Sequence, residues 1–253
     1  MRRYLNKTIR FAAGHFPISR VRVALFALGG VRTGRRAAIG YKVRIGEGTS
    51  IGDSARIGAG AAIGRNVLIG NHSKIGHAAQ IGDGTRIGDN VVISELALVG
   101  NAVIGRGSFI ERGVIMTGFQ NGKISIGDHT YIGIGAVLDW SGGIEIGSHV
   151  HVAGPSVGIW THSSILQALK GKEIDDRSET FVLPVRINDN VWIGGNSTLY
   201  PGTTVGPLAV VLPNSVVNRD VSPNTVAGGI PATVKRKIER EGLTIRLVKP
   251  GER

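Results

Sequence analysis

Residues 39–100 read IGYKVRIGEGTSIGDSARIGAGAAIGRNVLIGNHSKIGHAAQIGDGTRIGDNVVISELALVG, and a large β-branched residue recurs in them at every sixth position. Ile39, Ile45, Ile51, Ile57, Ile63, Ile69, Ile75, Ile81, Ile87, Ile93 and Val99 make up the series. Ten of these eleven are followed by Gly, Ser94 being the exception. Four places after each stands a small or β-branched residue: Val43, Thr49, Ala55, Ala61, Val67, Ser73, Ala79, Thr85, Val91, Ala97 and Val103. A helix needs apolar residues at spacings of three and four, and a half-buried strand needs a spacing of two. A strict period of six with Gly punctuation fits neither, but it fits a turn every six residues. Short strands separated by turns and stacked rung on rung make a parallel β-helix whose large residues form an internal ladder. Ile suits the ladder because its branched side chain is stiff and strand-favouring. Gly permits the backbone angles of the corners.

Outward from this stretch the register slips by one near Val103 and continues as Ile104, Ile110 and Met116. It restarts at Ile126, Ile132 and Leu138, at Ile146 and Val152, and finally at Ile187, Ile193, Leu199, Val205, Val211 and Val217. Insertions at 119–125, 140–145 and, longest, 161–185 are expected to project from corners, where solenoids place function. The predicted organisation is all-β: a basic helical cap over residues 1–38, a hexapeptide-repeat β-helix over 39–231 with a protruding loop at about 161–185, and a basic helix and tail over 232–253. Both flanks are read as caps on terminal rungs, with membrane docking of the basic first flank as the alternative.

Composition narrows the chemistry. The chain has 253 residues, 42% hydrophobic and 19% charged, enough to bury a continuous core. Its 39 Gly follow no Gly-X-Y period and it has no Cys, which excludes collagen, a disulfide framework, a Cys-ligated zinc site and thiol catalysis. A formal charge of +12 favours anionic partners without choosing among nucleic acid, acidic membrane and phosphate-bearing small molecules. The longest apolar stretch, Val23 to Val31, is too short to span a bilayer, which needs about 20 residues. The start MRRYLNK resembles a twin-arginine signal, but Arg10, His15, Arg20 and Arg22 follow with no small-residue cleavage site. A soluble cytoplasmic protein is expected, with peripheral contact to the inner membrane face as the refinement.

The repeat, the long interruption and then PVRINDNVWIGGNSTLYPGTTVG (184–206) with RDVSPNTVAGGIPATVKR (219–236) resemble the hexapeptide-repeat O-acetyltransferases. That group contains the galactoside, maltose, nodulation and polysaccharide acetyltransferases. The resemblance implies a left-handed coil with three hexads per turn, a homotrimer with active sites between neighbours, acetyl-CoA as co-substrate and no metal. The implied reaction is acetyl transfer to a hydroxyl, and a sugar in polysaccharide or glycoconjugate assembly is the expected acceptor. His162 in GIWTH stands where the family carries its catalytic base. Neutral imidazole is well matched to accepting a hydroxyl proton near pH 7. Asp139 in VLDWSGG is expected to approach His162 or to hold the acceptor, with a solvated turn residue as the alternative. Trp160 is expected to help wall the acceptor site.

By the same resemblance, Gly194 and Gly195 are candidate oxyanion donors, with glycines that only turn a corner as the alternative. Trp192 is a candidate surface for the active site or pantetheine arm, with ordinary packing as the alternative for it and for Trp160. Arg219, Lys235 and Arg236 are candidate phosphate contacts. The sequence departs from the family at Thr233, where many relatives have Arg, at Pro213 and Asn214, which replace a Gly-Ala or Ala-Gly turn, and at Asn218, which replaces Thr. Pro213 and Asn218 are kept in the predicted cofactor cleft.

Four other readings compete with this one. A γ-class carbonic anhydrase uses the same coil with three His on zinc, and His72 and His77 have a suggestive spacing. Its third ligand would fall where Arg35 and Arg36 stand, while His149 and His151 make a surface pair lacking another ligand. A non-catalytic β-helix scaffold would require neither His162 nor the long insertion. Nucleic-acid binding is not expected, because the basic residues are scattered without interleaved aromatics. Sugar-nucleotidyl transfer is not expected, because no Gly-rich nucleotide-binding segment stands before the coil.

Overall fold

A computed structural model describes residues 2–120, 122–242 and 244–248. The chain divides into two compact units, residues 1–115 with 126–134, and residues 116–125 with 135–253.

In the first unit each Ile of the series closes a two-residue strand. Up to Gln80 each strand pairs in parallel with the one 18 residues on, as in Ala38↔Arg56, Arg56↔Lys74 and Lys74↔Val92. From Arg86 the slip near residue 103 cuts the offset to 17, as in Arg86↔Val103. Eighteen residues are three hexads, so one coil has three rungs and successive rungs belong to three different sheets. The ladder from Ile39 to Val99 is buried at every step, as are the small residues from Val43 to Ala97. Each buried Ile contributes about 1.5–3 kcal/mol, so three per coil dominate the unit's stability. Buried hydroxyls in the small positions find backbone partners: Thr49 Oγ1 donates to Gly64 O at 2.8 Å and Ser73 Oγ to Gly88 O at 2.8 Å. Thr85 Oγ1 is buried with no partner among the described residues.

The glycines work differently from the sequence expectation. Those directly after Ile do not hold the left-handed angle. They are small because the next coil passes against them: a Cβ on Gly40 would lie 2.5 Å from the backbone nitrogen of Ala59. The left-handed angle falls two places later, at Gly48 (φ 75°) but also at Asn66 (φ 54°) and Lys42 (φ 57°). Val103 also differs, being 46% exposed, because the slip shortens that corner and places Ala102 inward instead.

The coil begins earlier than residue 39. Its first strand is Arg32–Thr33, paired Arg32↔Ser50, with Thr33–Gly34 standing where other hexads carry Ile-Gly. Two helices precede it, α1 at Arg2–His15 and α2 at Ser19–Leu28. Gly14 lies against the first coil, its carbonyl accepting from Lys42 N at 2.7 Å. Phe26 is fully buried, and the buried Arg22 guanidinium donates to Ile39 O at 2.8 Å and Phe16 O at 2.6 Å. No described helix is long and apolar enough to cross a membrane.

In the second unit the strands Val137–Asp139, Gly158–Ile159, Thr198–Leu199 and Val216–Val217 lie side by side, paired Val137↔Gly158, Gly158↔Thr198 and Thr198↔Val216. Here partners stand 21, 40 and 18 residues apart, and the excess over 18 is inserted chain at the corners. The predicted C-terminal helix is a β-hairpin instead. Strand Thr233–Glu241 pairs antiparallel with Thr225–Gly228 and with Thr244–Val248. The last parallel rung leaves an edge of unpaired backbone groups, and Thr233, Val234 and Ile238 favour a strand on that edge over a helix. The predicted tail beyond residue 248 lies outside the described residues.

Candidate active site

Two neighbouring rungs of the second unit fail to close their corner in the regular way, and their irregular ends meet. The pairing Leu138↔Ile159 sets Asp139 beside Trp160, one coil apart. Adjacent coils are separated by about 4.8 Å, the spacing of paired strands. The chain then leaves the coil as the short strand His162–Ser163, which pairs antiparallel with Phe181–Val182 and closes the base of the long insertion. An Asp at an outward strand position is thereby roofed over, and it is 2% exposed.

Its carboxylate is fully engaged. Oδ2 lies 2.6 Å from His162 Nδ1 and accepts from Thr161 N at 3.0 Å. Oδ1 accepts from Ser141 Oγ at 2.6 Å and Ser141 N at 3.2 Å. Thr161 Oγ1 has a single proton, which can go to Asp139 O at 2.6 Å or Oδ2 at 2.9 Å, while Gly142 N donates to it at 2.7 Å. Burial pushes the Asp139 carboxyl upward, but the hydrogen bonds from Ser141, His162 and Thr161 together outweigh it and hold the group below the ordinary carboxylate range. An ionised Asp139 can only accept, so His162 Nδ1 carries a proton and Nε2 is the nitrogen available as a base in the neutral ring. Asp139 therefore does not hold the acceptor, since both its oxygens are consumed inside the protein.

The His162 ring is 27% exposed and opens on a cavity of about 340 Å³, also lined by Ser164, Gln167, Lys172, Arg177 and Thr180. Phe119, from the insertion that follows Thr117, meets the imidazole edge to face at 4.8 Å between centroids. Its own N–H donates to Ser141 Oγ at 3.2 Å, tying it to the Asp139 network. Across the cavity, helix α3 at Ile165–Leu169 is fastened by the Gln167 amide, which donates to Glu173 O at 2.7 Å and Ile174 O at 3.1 Å.

The other predicted residues fall into two groups. Trp160, 39% exposed, adjoins Thr161, and Asn218 and Arg219 follow the strand Val216–Val217 on the same corner, two coils or about 10 Å away. Trp192, Gly194, Gly195, Pro213, Lys235 and Arg236 lie elsewhere, on or beside the sheet in which Trp192↔Val210↔Val226↔Arg236 run strand to strand. One chain does not bring this group to His162. Gly194 is not a free donor, because its N–H is used in the ladder to Val211 O at 2.8 Å. Gly195 is buried, and a Cβ there would lie 2.7 Å from Gly154 O. Trp192 instead lines a cavity of about 490 Å³ with His149, His151 and Arg240. Among the described residues no three His, Cys, Asp or Glu are grouped as a metal would require.

Comparison with known proteins agrees with this architecture. The family model described as bacterial transferase hexapeptide (six repeats) matches residues 60–95 and 184–219, and that of the hexapeptide repeat of succinyl-transferase matches 30–65 and 123–154. The Escherichia coli protein named "Putative lipopolysaccharide biosynthesis O-acetyl transferase WbbJ" is 30% identical over 148 residues, covering 48% of this chain and 76% of that one. The chain belongs to the hexapeptide-repeat acetyltransferases. Galactoside O-acetyltransferase of Escherichia coli is 31% identical over 137 residues, covering 54% of this chain. The chain spans 60% and 64% of the length of two of the curated relatives it matches. AntD, an N-acyltransferase from Bacillus cereus solved with dTDP and 3-hydroxybutyryl-CoA, shares the fold with a TM-score of 0.54 at 22% identity, over 60% of this chain and 82% of that one. The coil of this acetyltransferase family member is thus the left-handed parallel β-helix of hexapeptide repeats.

Sequence reasoning missed four members of the candidate site: Ser141, Thr161, Phe119 and Arg177. Their signal was present only as position, because each lies in or beside an insertion. Nothing in the spacing shows that segments 23 residues or more apart in sequence share one corner.

Proposed function

We propose that this chain is an acetyl-CoA-dependent O-acetyltransferase that acetylates a sugar hydroxyl in polysaccharide or glycoconjugate assembly, with His162 as general base. The buried Asp139 carboxylate at 2.6 Å from His162 Nδ1 carries the reading, because a coil that served only as a scaffold would have no use for it. Asp139 is a positioning residue: it selects the tautomer and favours the imidazolium that forms during transfer. The acceptor hydroxyl oxygen attacks the thioester carbonyl carbon while its proton passes to Nε2 of His162. The tetrahedral adduct then collapses, the carbon–sulfur bond breaks, and the imidazolium proton goes to the departing thiolate. An acetyl ester and free coenzyme A result.

The cofactor-side group supports a site shared between subunits. Trp192, Gly195, Pro213, Lys235 and Arg236 lie away from His162 within one chain, so in this reading a homotrimer sets them beside the His162 corner of a neighbour, while Arg219 and Asn218 serve their own corner. The same reading places the chain in the cytoplasm beside the inner membrane face, where the exposed Tyr4, Leu5 and Phe11 of the basic helix α1 offer a contact.

The test is thiol release from acetyl-CoA with a panel of sugars and nucleotide sugars, comparing wild type with His162→Ala. A loss of roughly 10²–10⁴-fold is expected for a general base. Undiminished release in the variant would remove His162 from that role. Light scattering tests the assembly, and a fully active monomer would remove the shared site.

A further inference from the structure

The cavity at His162 carries a cation that acetyl transfer to a neutral sugar does not use. Arg177 sits with its guanidinium carbon 3.9 Å from the Phe119 ring centroid, and Phe119 is the ring that meets His162. The other cations of the insertion are spent on neighbours: Lys170 on Glu179 at 2.7 Å and Lys172 on Asp176 at 2.9 Å. Asp176 is held further by the Ser178 hydroxyl and N–H, which keep it ionised and paired. Among the described residues no carboxylate stands at ion-pair distance from Arg177. The four acids of the insertion, Glu173, Asp175, Asp176 and Glu179, are not among the residues lining the cavity.

From this arrangement, and resting on the acetyltransferase reading above, we infer that the acceptor is an anionic sugar whose carboxylate or phosphate group is bound by Arg177. Stacking on Phe119 fixes the plane of the guanidinium and leaves its edge of N–H donors for a ligand. That edge matches a carboxylate or phosphate in two parallel hydrogen bonds. Because Phe119 is in contact with both Arg177 and the imidazole, an anion at Arg177 is held within one aromatic ring's breadth of the base. A hydroxyl elsewhere on the same sugar ring can then reach Nε2. Lys would supply the charge without the planar fork, so Arg177→Lys is the informative conservative change.

Binding can be read without turnover, from the ring resonances of His162 in the full chain titrated with methyl β-D-glucuronide, glucose 6-phosphate and the neutral methyl β-D-glucoside. We expect wild type to bind at least one anionic probe roughly tenfold or more tighter than the neutral one, the scale of a charge-assisted hydrogen bond. Which anion wins distinguishes a uronic acid from a sugar phosphate. Arg177→Gln should bring the anion to the level of the neutral sugar and leave the neutral sugar unchanged, and Arg177→Lys should restore part of the difference. Equal binding of charged and neutral probes by wild type, an unchanged preference in Arg177→Gln, or no response to either anion overturns the inference. Arg177-dependent anion binding by a chain with no acetyl transfer would sink the transferase reading alone. His162-dependent transfer with no preference for charge would sink this inference alone.

Discussion

In residues 39–99 every hexad keeps its length, and no side chain there is held as His162 is. In residues 137–185 the coils are interrupted, and the interruptions carry the candidate site. The physical cause is the division of labour in a solenoid. An unbroken rung spends its inward side chains on the ladder and its backbone on the two neighbouring coils, so only a corner has chain to spare. Where the corner after Leu138 is lengthened, Asp139 is roofed and kept ionised. Where the corner after Ile159 is lengthened, His162 is turned back toward it by the strand pair His162↔Val182. Regularity thus provides rigidity, and departures from regularity provide chemistry.

That contrast can be broken most strongly at Asp139. Asp139→Asn keeps the shape but offers Nδ1 of His162 an amide, and acetyl transfer should fall by roughly 10²–10⁴-fold in steady-state assays. A variant with wild-type rate would show that the pair is ornamental. The same substitution also reports on stability. The carboxyl is held below its ordinary value of 3.8, so its contribution is complete above about pH 4. It is lost as pH falls through the lower folded value. Acid unfolding followed by circular dichroism should therefore show a steeper loss below pH 4 in wild type than in Asp139→Asn.

The next largest effect belongs to the regular region. Ile93 is fully buried in the ladder, and Ile93→Ala should cost about 2–5 kcal/mol in denaturant unfolding while leaving the rate per folded molecule unchanged. Loss of rate without loss of stability would contradict the division of labour. A smaller effect separates the two kinds of glycine position. Gly40→Ala puts a methyl group against the backbone of Ala59 and should destabilise by about 1–3 kcal/mol. Asn66→Gly, at a left-handed corner, should be neutral or mildly stabilising, since αL costs a non-Gly residue energy. Equal effects of the two changes in thermal unfolding would refute the assignment of close approach to one and φ to the other. Smallest of all, Thr85→Val replaces an unpartnered buried hydroxyl by a methyl group and should stabilise by about 1 kcal/mol. A lowered melting temperature would mean that Oγ1 has a partner.

Legibility followed the same contrast. Ile39 to Val99 could be placed inward from spacing alone, because a period of six with a large and a small residue admits one stacking. The first rung was hidden because Thr33 occupies the Ile position, and Val103 was misplaced because a one-residue slip reverses which side chain faces in. The C-terminal flank looked helical by its charges, yet its conformation was decided by an exposed strand edge that no local pattern announces. At the site, His162 was legible through family resemblance, whereas its partner was one of several acids at turns.

By itself, then, the sequence determined the coil, its period, the sites of its insertions and the family to which it belongs. All of these follow from residue types repeated at short range. Only the tertiary structure decided that Asp139 is buried against His162, that Phe119 and Arg177 wall the same cavity, and that Trp192 and Arg236 stand on another sheet. Those relations join segments far apart in the chain, and they depend on how many residues each interrupted corner adds before the next rung resumes.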